Sequence, residues 1–299
     1  MTWLSNLFNF LALSLLRLFA FLPYVITVYV GYGLGWLAAH IPNSRAKVVK
    51  TNLRLCFPNL NEQEIDALAL KHWKLFGRSV VERSRVWLGS ADQILSFVQL
   101  NSEIPIGDRK PRILVNPHFV GLEGGFMALS ALGMKNNMPR GAGLYQKMKN
   151  PFFNQKMVEW RDRFGAKSIE RQGRLRDIIR ETKAGNFVVI APDIDLGPRD
   201  SIFVPFFNIP TSTVTSVSQL AKLSGAEVCL MTTTLNKDRK GYTCHISEPL
   251  PNFPSDDAEK DTARLNQYIE ELVRERPAEY YWVHKRFKHR PPGEPSLYD

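Results

Sequence analysis

Hydrophobic residues are concentrated at the start of the chain. From position 7 to position 30 the sequence reads LFNFLALSLLRLFAFLPYVITVYV, with Arg17 as its only charged residue. A helix needs about 20 apolar residues to cross a bilayer core, so this run is long enough to do so. A pair of buried core helices, which Arg17 and Pro23 would favour, is the alternative interpretation.

The charges that follow this run indicate its orientation. No acidic residue occurs before Glu62. Basic residues come soon after the apolar run, at Arg45, Lys47, Lys50 and Arg54. Because positive charges stay on the cytoplasmic side, we expect an anchor that spans the membrane or lies in its interface, with the rest of the chain in the cytoplasm. The sequence thus predicts an anchor over residues 1–43 and one domain over residues 44–299.

Beyond the anchor, helical and strand patterns alternate. Asn61 and Glu64 form a capping-box pattern that predicts the start of a helix. Its apolar residues follow a helical spacing at Ile65, Leu68, Trp73, Phe76 and Val80. Further helices are predicted at 121–132, 175–182, 211–224 and 265–273, and buried strands at 113–115, 187–191 and 227–234. Strands separated by helices predict an α/β sandwich with a largely parallel sheet.

Composition narrows the possible partners and the compartment. The 299 residues are 44 % apolar and 23 % charged, which is typical of a folded protein and excludes a disordered chain. The formal net charge of +10 favours anionic partners such as nucleic acid, phospholipid surfaces or acidic proteins. The three cysteines, Cys56, Cys229 and Cys244, form no disulfide or metal-binding spacing, so we expect core positions in a reducing compartment.

The segment 116–125, NPHFVGLEGG, carries the clearest catalytic pattern. His118 follows a predicted buried strand, at the strand end where ligands bind in open α/β sheets. Glu123 falls in the first turn of the next predicted helix. A carboxylate that binds one imidazole nitrogen raises the basicity of the other, which can then deprotonate an attacking hydroxyl. A loop histidine beside a helix-capping glutamate is the alternative, and the spacing alone does not decide between them.

Several longer blocks accompany this motif. They read KVVKTNLRLCFPNL from Lys47, YQKMKNPFFN from Tyr145, IAPDIDLGPRDSIFVPFF from Ile190, and YYWVHKRFKHRPPGEPSLY from Tyr280. Together with HxxxxE at 118–123, they resemble the late acyltransferases of lipid A biosynthesis, the lauroyl and myristoyl transferases. The HxxxxE motif is short and common, whereas the last two blocks are specific. The resemblance extends over nearly the whole chain.

This resemblance implies a function, a fold and a location. It implies an inner-membrane enzyme with a single anchor and a glycerolipid-acyltransferase-like domain facing the cytoplasm. Such enzymes move a fatty acyl chain from acyl carrier protein to a hydroxyacyl chain of a Kdo-bearing lipid IVA, and the donor thioester removes the need for a metal or nucleotide cofactor. The resemblance assigns His118 as general base and Glu123 as its orienting partner. Arg161 and Asp193 match functional residues, and Arg171 corresponds to a phosphate-binding arginine of the wider glycerolipid acyltransferase group.

The chemistry of the acceptor suggests further substrate-binding residues. Guanidinium groups bind phosphates and carboxylates through two hydrogen bonds at once. The candidates are Arg161, Arg163, Arg171 and Arg199, each with an exposed surface role as the alternative. A carboxylate after a buried strand needs a partner, so we expect Asp193 to hold one of these arginines. Backbone N–H groups near Gly121 are candidates for binding the reaction oxyanion.

Three interpretations compete with this one. The first keeps the chemistry but changes the acceptor to another hydroxyacylated or amino lipid. The second is a membrane-tethered lipid-binding homologue without catalysis, against which the presence of both His118 and Glu123 argues. The third is nucleic-acid binding by the basic, aromatic stretch 282–290. For that stretch we favour contact with the phospholipid surface, and an ordinary basic C-terminal tail remains open.

Overall fold

The computed structural model describes residues 3–171, 173, 175–238 and 240–298, with side chains from Leu7 onward. The helices are α1 (Trp3–Phe21), α2 (Tyr24–His40), α3 (Ser44–Cys56), α4 (Glu62–Leu88), α5 (Ala91–Phe97), α6 (Leu122–Lys135), α7 (Pro151–Asp162), α8 (Leu175–Lys183), α9 (Ser216–Ser224) and α10 (Ala258–Glu275). The strands are β1 (Val98–Ser102), β2 (Arg112–Val115), β3 (Gly141–Tyr145), β4 (Lys167–Glu170), β5 (Phe187–Ile190), β6 (Ser201–Phe206), β7 (Ile209–Val214), β8 (Glu227–Leu235) and β9 (Tyr242–Pro249).

One mostly parallel sheet organises the molecule. Its strand order is β1-β9-β8-β2-β5-β3-β4, and among the described strands only the β8–β9 pair in this sheet is antiparallel. The central strand β2 is buried along its length, with Ile113 and Val115 in one apolar cluster and Leu114 in the other. Because successive side chains point to opposite faces, both faces of the sheet are covered. The predicted α/β fold with a largely parallel sheet is confirmed.

The prediction of a helix over 211–224 is wrong in its first part. Residues 209–214 form β7, which pairs antiparallel with β6 in a separate two-stranded sheet. The sequence from Thr211 to Val214 is rich in β-branched residues, which suit a strand better than a helix. The helix α9 begins only at Ser216 and ends before Gly225, whose φ of 67° lies in the left-handed region.

The N-terminal apolar run folds as two helices instead of one. Helix α1 ends at Phe21 and α2 begins at Tyr24, because Pro23 has no N–H to continue the helix. In the described part of the chain no single helix is long and apolar enough to span a membrane, although α2 and α3, bent by 88°, pass that test as a pair. The expected single-pass anchor is therefore not confirmed. Helices α1 and α2 both expose large apolar side chains, and Phe21 at the end of α1 is 87 % exposed.

Glycines bring α2 into backbone contact with α4. A Cβ atom at Gly35 would lie 2.1 Å from the carbonyl oxygen of Trp73, and one at Gly31 would lie 2.4 Å from the Cα of Arg78. Gly77 of α4 faces the same contact, where its Cβ would lie 2.5 Å from the carbonyl oxygen of Gly31. Helices approach this closely only where small residues line the contact. The glycines thus dock the N-terminal hairpin on α4.

A buried polar cluster strengthens this contact. The Arg78 guanidinium donates to Glu82 at 2.7 Å and to the Tyr24 hydroxyl at 2.5 Å. Tyr242 of β9 donates to the other Glu82 oxygen at 2.5 Å, and the Gly241 N–H donates to the Tyr24 oxygen at 2.8 Å. Arg78 and Glu82 are almost fully buried, so each charge depends on these partners. The cluster connects the first turn of α2, the middle of α4 and the start of β9.

Candidate active site

A cleft of about 360 Å³ opens beside the carboxyl end of β2. Its walls come from α4, the start of α6, side chains of α7, and Tyr280, Tyr281 and His284. His118, Glu123 and Arg161 all line it. Strand ends in parallel sheets leave such a crevice because the connecting loops diverge there. The cleft is therefore where three of the residues singled out from the sequence meet.

His118 is held in one orientation by Asp193. One carboxylate oxygen accepts the backbone N–H of His118 at 2.8 Å, and the other lies 2.7 Å from its Nδ1. The Tyr281 ring lies against the imidazole, with ring centroids 5.6 Å apart. Since a carboxylate accepts a hydrogen from Nδ1, the neutral imidazole carries its lone pair on Nε2. His118 thus presents a basic nitrogen that its partner does not use.

The pairing of two adjacent strands explains the position of Asp193. This residue follows β5, which runs parallel to β2, and the Asn116 N–H donates to the carbonyl oxygen of Ile190 just beyond the paired strands. Burial raises the pKa of the Asp193 carboxyl, but the charge and two hydrogen bonds of His118 outweigh it and leave that pKa below its usual value. The expectation that Asp193 holds an arginine is wrong, because its two oxygens bind His118.

Glu123 has other partners than the expected histidine. Its carboxylate accepts hydrogen bonds from Trp87 Nε1 at 2.7 Å, from Arg161 Nε at 2.7 Å and from Arg161 Nη2. Burial raises the pKa of Glu123, but the guanidinium of Arg161 outweighs it and lowers that pKa overall. The expected hydrogen bond between Glu123 and His118 is not formed, because α4 and α7 supply the donors for both carboxylate oxygens.

The predicted arginines separate into three environments. Arg161 is bound to Glu123 in the cleft. Arg163 donates to the carbonyl oxygen of Val86 at 3.1 Å and stacks on Phe164, its guanidinium carbon 4.0 Å from the ring centroid. Arg171 and Arg199 are exposed. Of these four candidates, only Arg161 is among the residues that line the cleft.

Arg83 is a cleft arginine that the sequence analysis did not single out. It lies on α4 over the ring of Trp87, with its guanidinium carbon 5.8 Å from the ring centroid. Among the described residues, none forms a hydrogen bond or ion pair with its side chain. Its spacing of four residues before Trp87, on the same helix face, is the sequence signal that could have found it. Arg83 therefore places a second guanidinium, besides that of Arg161, in the wall of the cleft.

The C-terminal stretch 282–290 is largely internal. Trp282 and Phe287 are fully buried, and Arg286 is 2 % exposed. The Arg286 guanidinium donates to the carbonyl oxygen of Ser212 at 2.7 Å and to Thr213 at 2.8 Å. The expectation that this stretch rests on a phospholipid surface is wrong for these three residues, because they pack into the core behind the cleft. The three cysteines are also buried, as expected.

Comparisons with known proteins show the family of the chain. A sequence model of the bacterial lipid A biosynthesis acyltransferase family matches residues 2–289. The chain is 33 % identical to a lipid A biosynthesis lauroyltransferase of Escherichia coli, over 99 % of this chain and 95 % of the relative. It is 31 % identical to a lipid A biosynthesis acyltransferase of Haemophilus influenzae, over 97 % and 93 %, and 29 % identical to an E. coli palmitoleoyltransferase, over 96 % and 92 %. The chain belongs to the bacterial lipid A biosynthesis acyltransferase family and is an acyltransferase.

Proposed function

We propose that this acyltransferase moves a fatty acyl chain from acyl carrier protein to the hydroxyl of a hydroxyacyl chain on a lipid A precursor of the Kdo-bearing lipid IVA type. The observation that carries this proposal is the His118–Asp193 pair at the edge of the cleft, with Nε2 left without a partner among the described residues. A base for ester formation must lie within hydrogen-bond reach of the attacking hydroxyl. A cleft large enough for a lipid hydroxyl and a thioester meets this need.

The chemical step follows from this geometry. Nε2 of His118 accepts the hydroxyl proton as the acceptor oxygen attacks the thioester carbon, and a C–O bond forms. The resulting oxyanion then collapses, the C–S bond breaks, and the imidazolium returns the proton to the thiolate. Asp193 stabilises the imidazolium in between. An ester and a free carrier thiol result, and no proton or electron is left over.

Glu123 acts through Arg161 in this scheme. Its carboxylate holds the guanidinium by two hydrogen bonds at the cleft wall, where an unpaired buried arginine would be costly. The role assigned to Glu123 as orienting partner of the base passes to Asp193. Glu123 and Arg161 together shape the wall that the substrate contacts. Loss of either residue is therefore expected to reduce acyl transfer without removing the base.

We further propose that the α1–α2 hairpin seats the enzyme in the cytoplasmic leaflet of the inner membrane. Its exposed large apolar side chains include Phe8, Phe10, Leu11, Leu15, Leu18, Phe21, Val25, Ile26 and Tyr29. A continuous apolar surface of this kind suits the interface between head groups and acyl chains. Leu18→Glu is expected to reduce flotation with anionic phospholipid vesicles. Leu223→Glu, at an exposed leucine of α9, is the matched control and should float like wild type.

The proposed reaction is tested with purified protein in detergent. Lauroyl–acyl carrier protein and Kdo-bearing lipid IVA are supplied, and the acceptor is analysed by mass spectrometry. The expected result is an acceptor heavier by one acyl chain, with the carrier thiol released in equal amount. Transfer to another lipid but not to this one would show that the proposed acceptor is wrong. Absence of transfer to any hydroxyacylated or amino lipid would favour a lipid-binding protein without catalysis.

A further inference from the structure

A second histidine lines the same cleft as His118. The short segment 193–195 holds both rings, since the Asp193 side chain binds His118 and the Asp195 N–H donates to Nε2 of His284 at 3.0 Å. Ile194, between the two aspartates, also lines the cleft. Two residues of extended chain span at most about 7 Å. The two imidazoles are therefore anchored at neighbouring points of one cleft edge.

The hydrogen bond from Asp195 determines where His284 carries its hydrogen. A backbone N–H can only donate, so Nε2 of His284 must supply the lone pair. The ring hydrogen of the neutral imidazole is then on Nδ1, which none of the described residues binds. Burial first, then the positive charges of Arg286 and His118, lowers the pKa of His284 to about 4, against the opposing effect of Asp195 and Asp193. At neutral pH the ring is an uncharged donor.

This arrangement is the opposite of the one at His118. His118 has a bound Nδ1 and offers a lone pair, whereas His284 has a bound Nε2 and offers an N–H group. Acyl transfer needs both kinds of group, because a base removes the proton and a donor must stabilise the oxygen that becomes negative. We propose that His284 donates its Nδ1 hydrogen to the oxyanion of the tetrahedral intermediate. This inference rests on the proposed function of the cleft.

His284 keeps its proton throughout the step. As the acceptor oxygen bonds to the thioester carbon, the electron pair of the C=O bond moves to oxygen, and the hydrogen bond from Nδ1 strengthens. When the C–S bond breaks, the C=O bond re-forms and the hydrogen bond weakens. A neutral donor serves here because no proton has to be transferred to the oxyanion. The backbone N–H groups at the start of α6, near Gly121, border the same cleft.

The competing explanation is that His284 only supports the loop at 193–195. His289 provides the matched control for this explanation. The Asp195 carboxylate accepts the backbone N–H of His289 at 2.8 Å and lies 2.6 Å from its Nδ1. His289 thus holds the same segment 193–195 but is not among the cleft-lining residues. A variant at His289 disturbs the loop without removing a donor from the cleft.

The experiment compares His284→Ala, His284→Asn, His284→Gln and His289→Ala with the wild-type chain, using lauroyl–acyl carrier protein and Kdo-bearing lipid IVA in detergent. The alanine variant should lower kcat on the order of 10² to 10³-fold with little change in KM, as expected for one lost oxyanion donor. Its pH–rate profile should keep the wild-type midpoint. Asparagine places an N–H near the Nδ1 position and should recover part of kcat, whereas glutamine should not. Thermal unfolding of every variant reports whether the fold is retained.

The outcomes separate the two proposals. Absence of transfer by the wild-type chain overturns the proposed function and this role with it. Transfer by the wild type that survives His284→Ala overturns only the role of His284. Equal losses in all four variants, with lowered thermal stability, would show that His284 supports the loop, and they also overturn the donor role.

Discussion

Asp193 holds His118 by two hydrogen bonds, one to the backbone N–H and one to the ring, 75 positions apart in the sequence. The backbone bond fixes where the residue sits, and the ring bond fixes how the imidazole is turned. Both hydrogen bonds require that each carboxylate oxygen acts as an acceptor. The pair therefore combines placement and tautomer selection in one side chain.

Asp193→Asn should abolish most of the activity. An asparagine amide has one oxygen and one NH2 group. The NH2 group must face either Nδ1 or the backbone N–H of His118, and each of these already carries a hydrogen, so one hydrogen bond is lost. We expect kcat to fall by at least about 100-fold, with KM for the acyl donor little changed. Asp257→Asn, which keeps a good cap at the start of α10, is the control. Wild-type kcat in Asp193→Asn would contradict the role given to this pair.

Glu123→Gln should destabilise the protein at neutral pH. It leaves the guanidinium of Arg161 in the cleft wall without its counter-charge, which we expect to cost about 3 kcal/mol in the free energy of unfolding. Glu159→Gln, on the same helix as Arg161 but exposed, should show no measurable change. Chemical denaturation in detergent measures both variants. Equal stability of wild type and Glu123→Gln would show that this ion pair does not hold the wall.

The difference in stability between wild type and Glu123→Gln should depend on pH in a defined direction. Because the pKa of Glu123 is lower in the folded protein, its stabilising effect is present above the unfolded value of about 4.3. It is lost as the pH falls through the lower pKa of the folded state. The difference in unfolding free energy between wild type and Glu123→Gln should therefore be constant from about pH 5 to 7 and shrink below about pH 4. A difference that grew on acidification would contradict the direction of this shift.

Arg83→Ala tests recognition of the acceptor. Its guanidinium has no hydrogen-bond partner among the described residues, so a phosphate of the acceptor could bind it without displacing another group. Loss of a charged hydrogen bond should raise KM for the phosphorylated acceptor about tenfold and leave kcat nearly unchanged. A dephosphorylated acceptor should not distinguish the variant from wild type. Arg180→Ala, an exposed change on α8, serves as the control.

Gly35→Ala should loosen the N-terminal hairpin. The new Cβ would lie 2.1 Å from the Trp73 carbonyl oxygen, so α2 must move away from α4, at a cost of about 1–3 kcal/mol. Gly33→Ala is the matched control, since nothing lies within 4 Å of its Cβ position. Alanine there should stabilise the helix by about 0.5–1 kcal/mol. Opposite shifts in thermal unfolding confirm the packing, and equal shifts contradict it.

Short apolar runs were sufficient to predict the centre of the sheet. Strands β2, β5 and β8 are buried runs of branched residues, a pattern that stands out in a sequence. Strand β3 reads GAGLY and β4 reads KSIE, so neither shows apolar periodicity. Strand β3 pairs with β4 on one side and β5 on the other, and β4 pairs with β3. Whether such segments form strands depends on their pairing with distant strands, and the local sequence does not encode that pairing.

The same limit applies to the site. HxxxxE covers the six residues from His118 to Glu123 on one loop and the start of one helix, so the sequence alone shows both functional groups. The bond that orients His118 comes from Asp193, which only the parallel pairing of β2 with β5 brings close. Arg161 was predicted to bind substrate, but the partner it has in the structure, Glu123, lies on another helix. Composition and spacing identify chemical groups, whereas their partners depend on how distant segments meet.

The contact between α2 and α4 has a consequence for how the enzyme meets its lipid substrate. Helix α4 carries the hairpin on one face and presents Glu82 and Arg83 to the cleft on another, and Tyr24 is bonded to both α4 and the start of β9. The hairpin is thus bonded to the same helix that forms part of the cleft wall. With the hairpin seated in the bilayer as proposed, its depth of entry would set the height of His118 above the acyl chains, and with it which hydroxyl of a lipid reaches the proposed base.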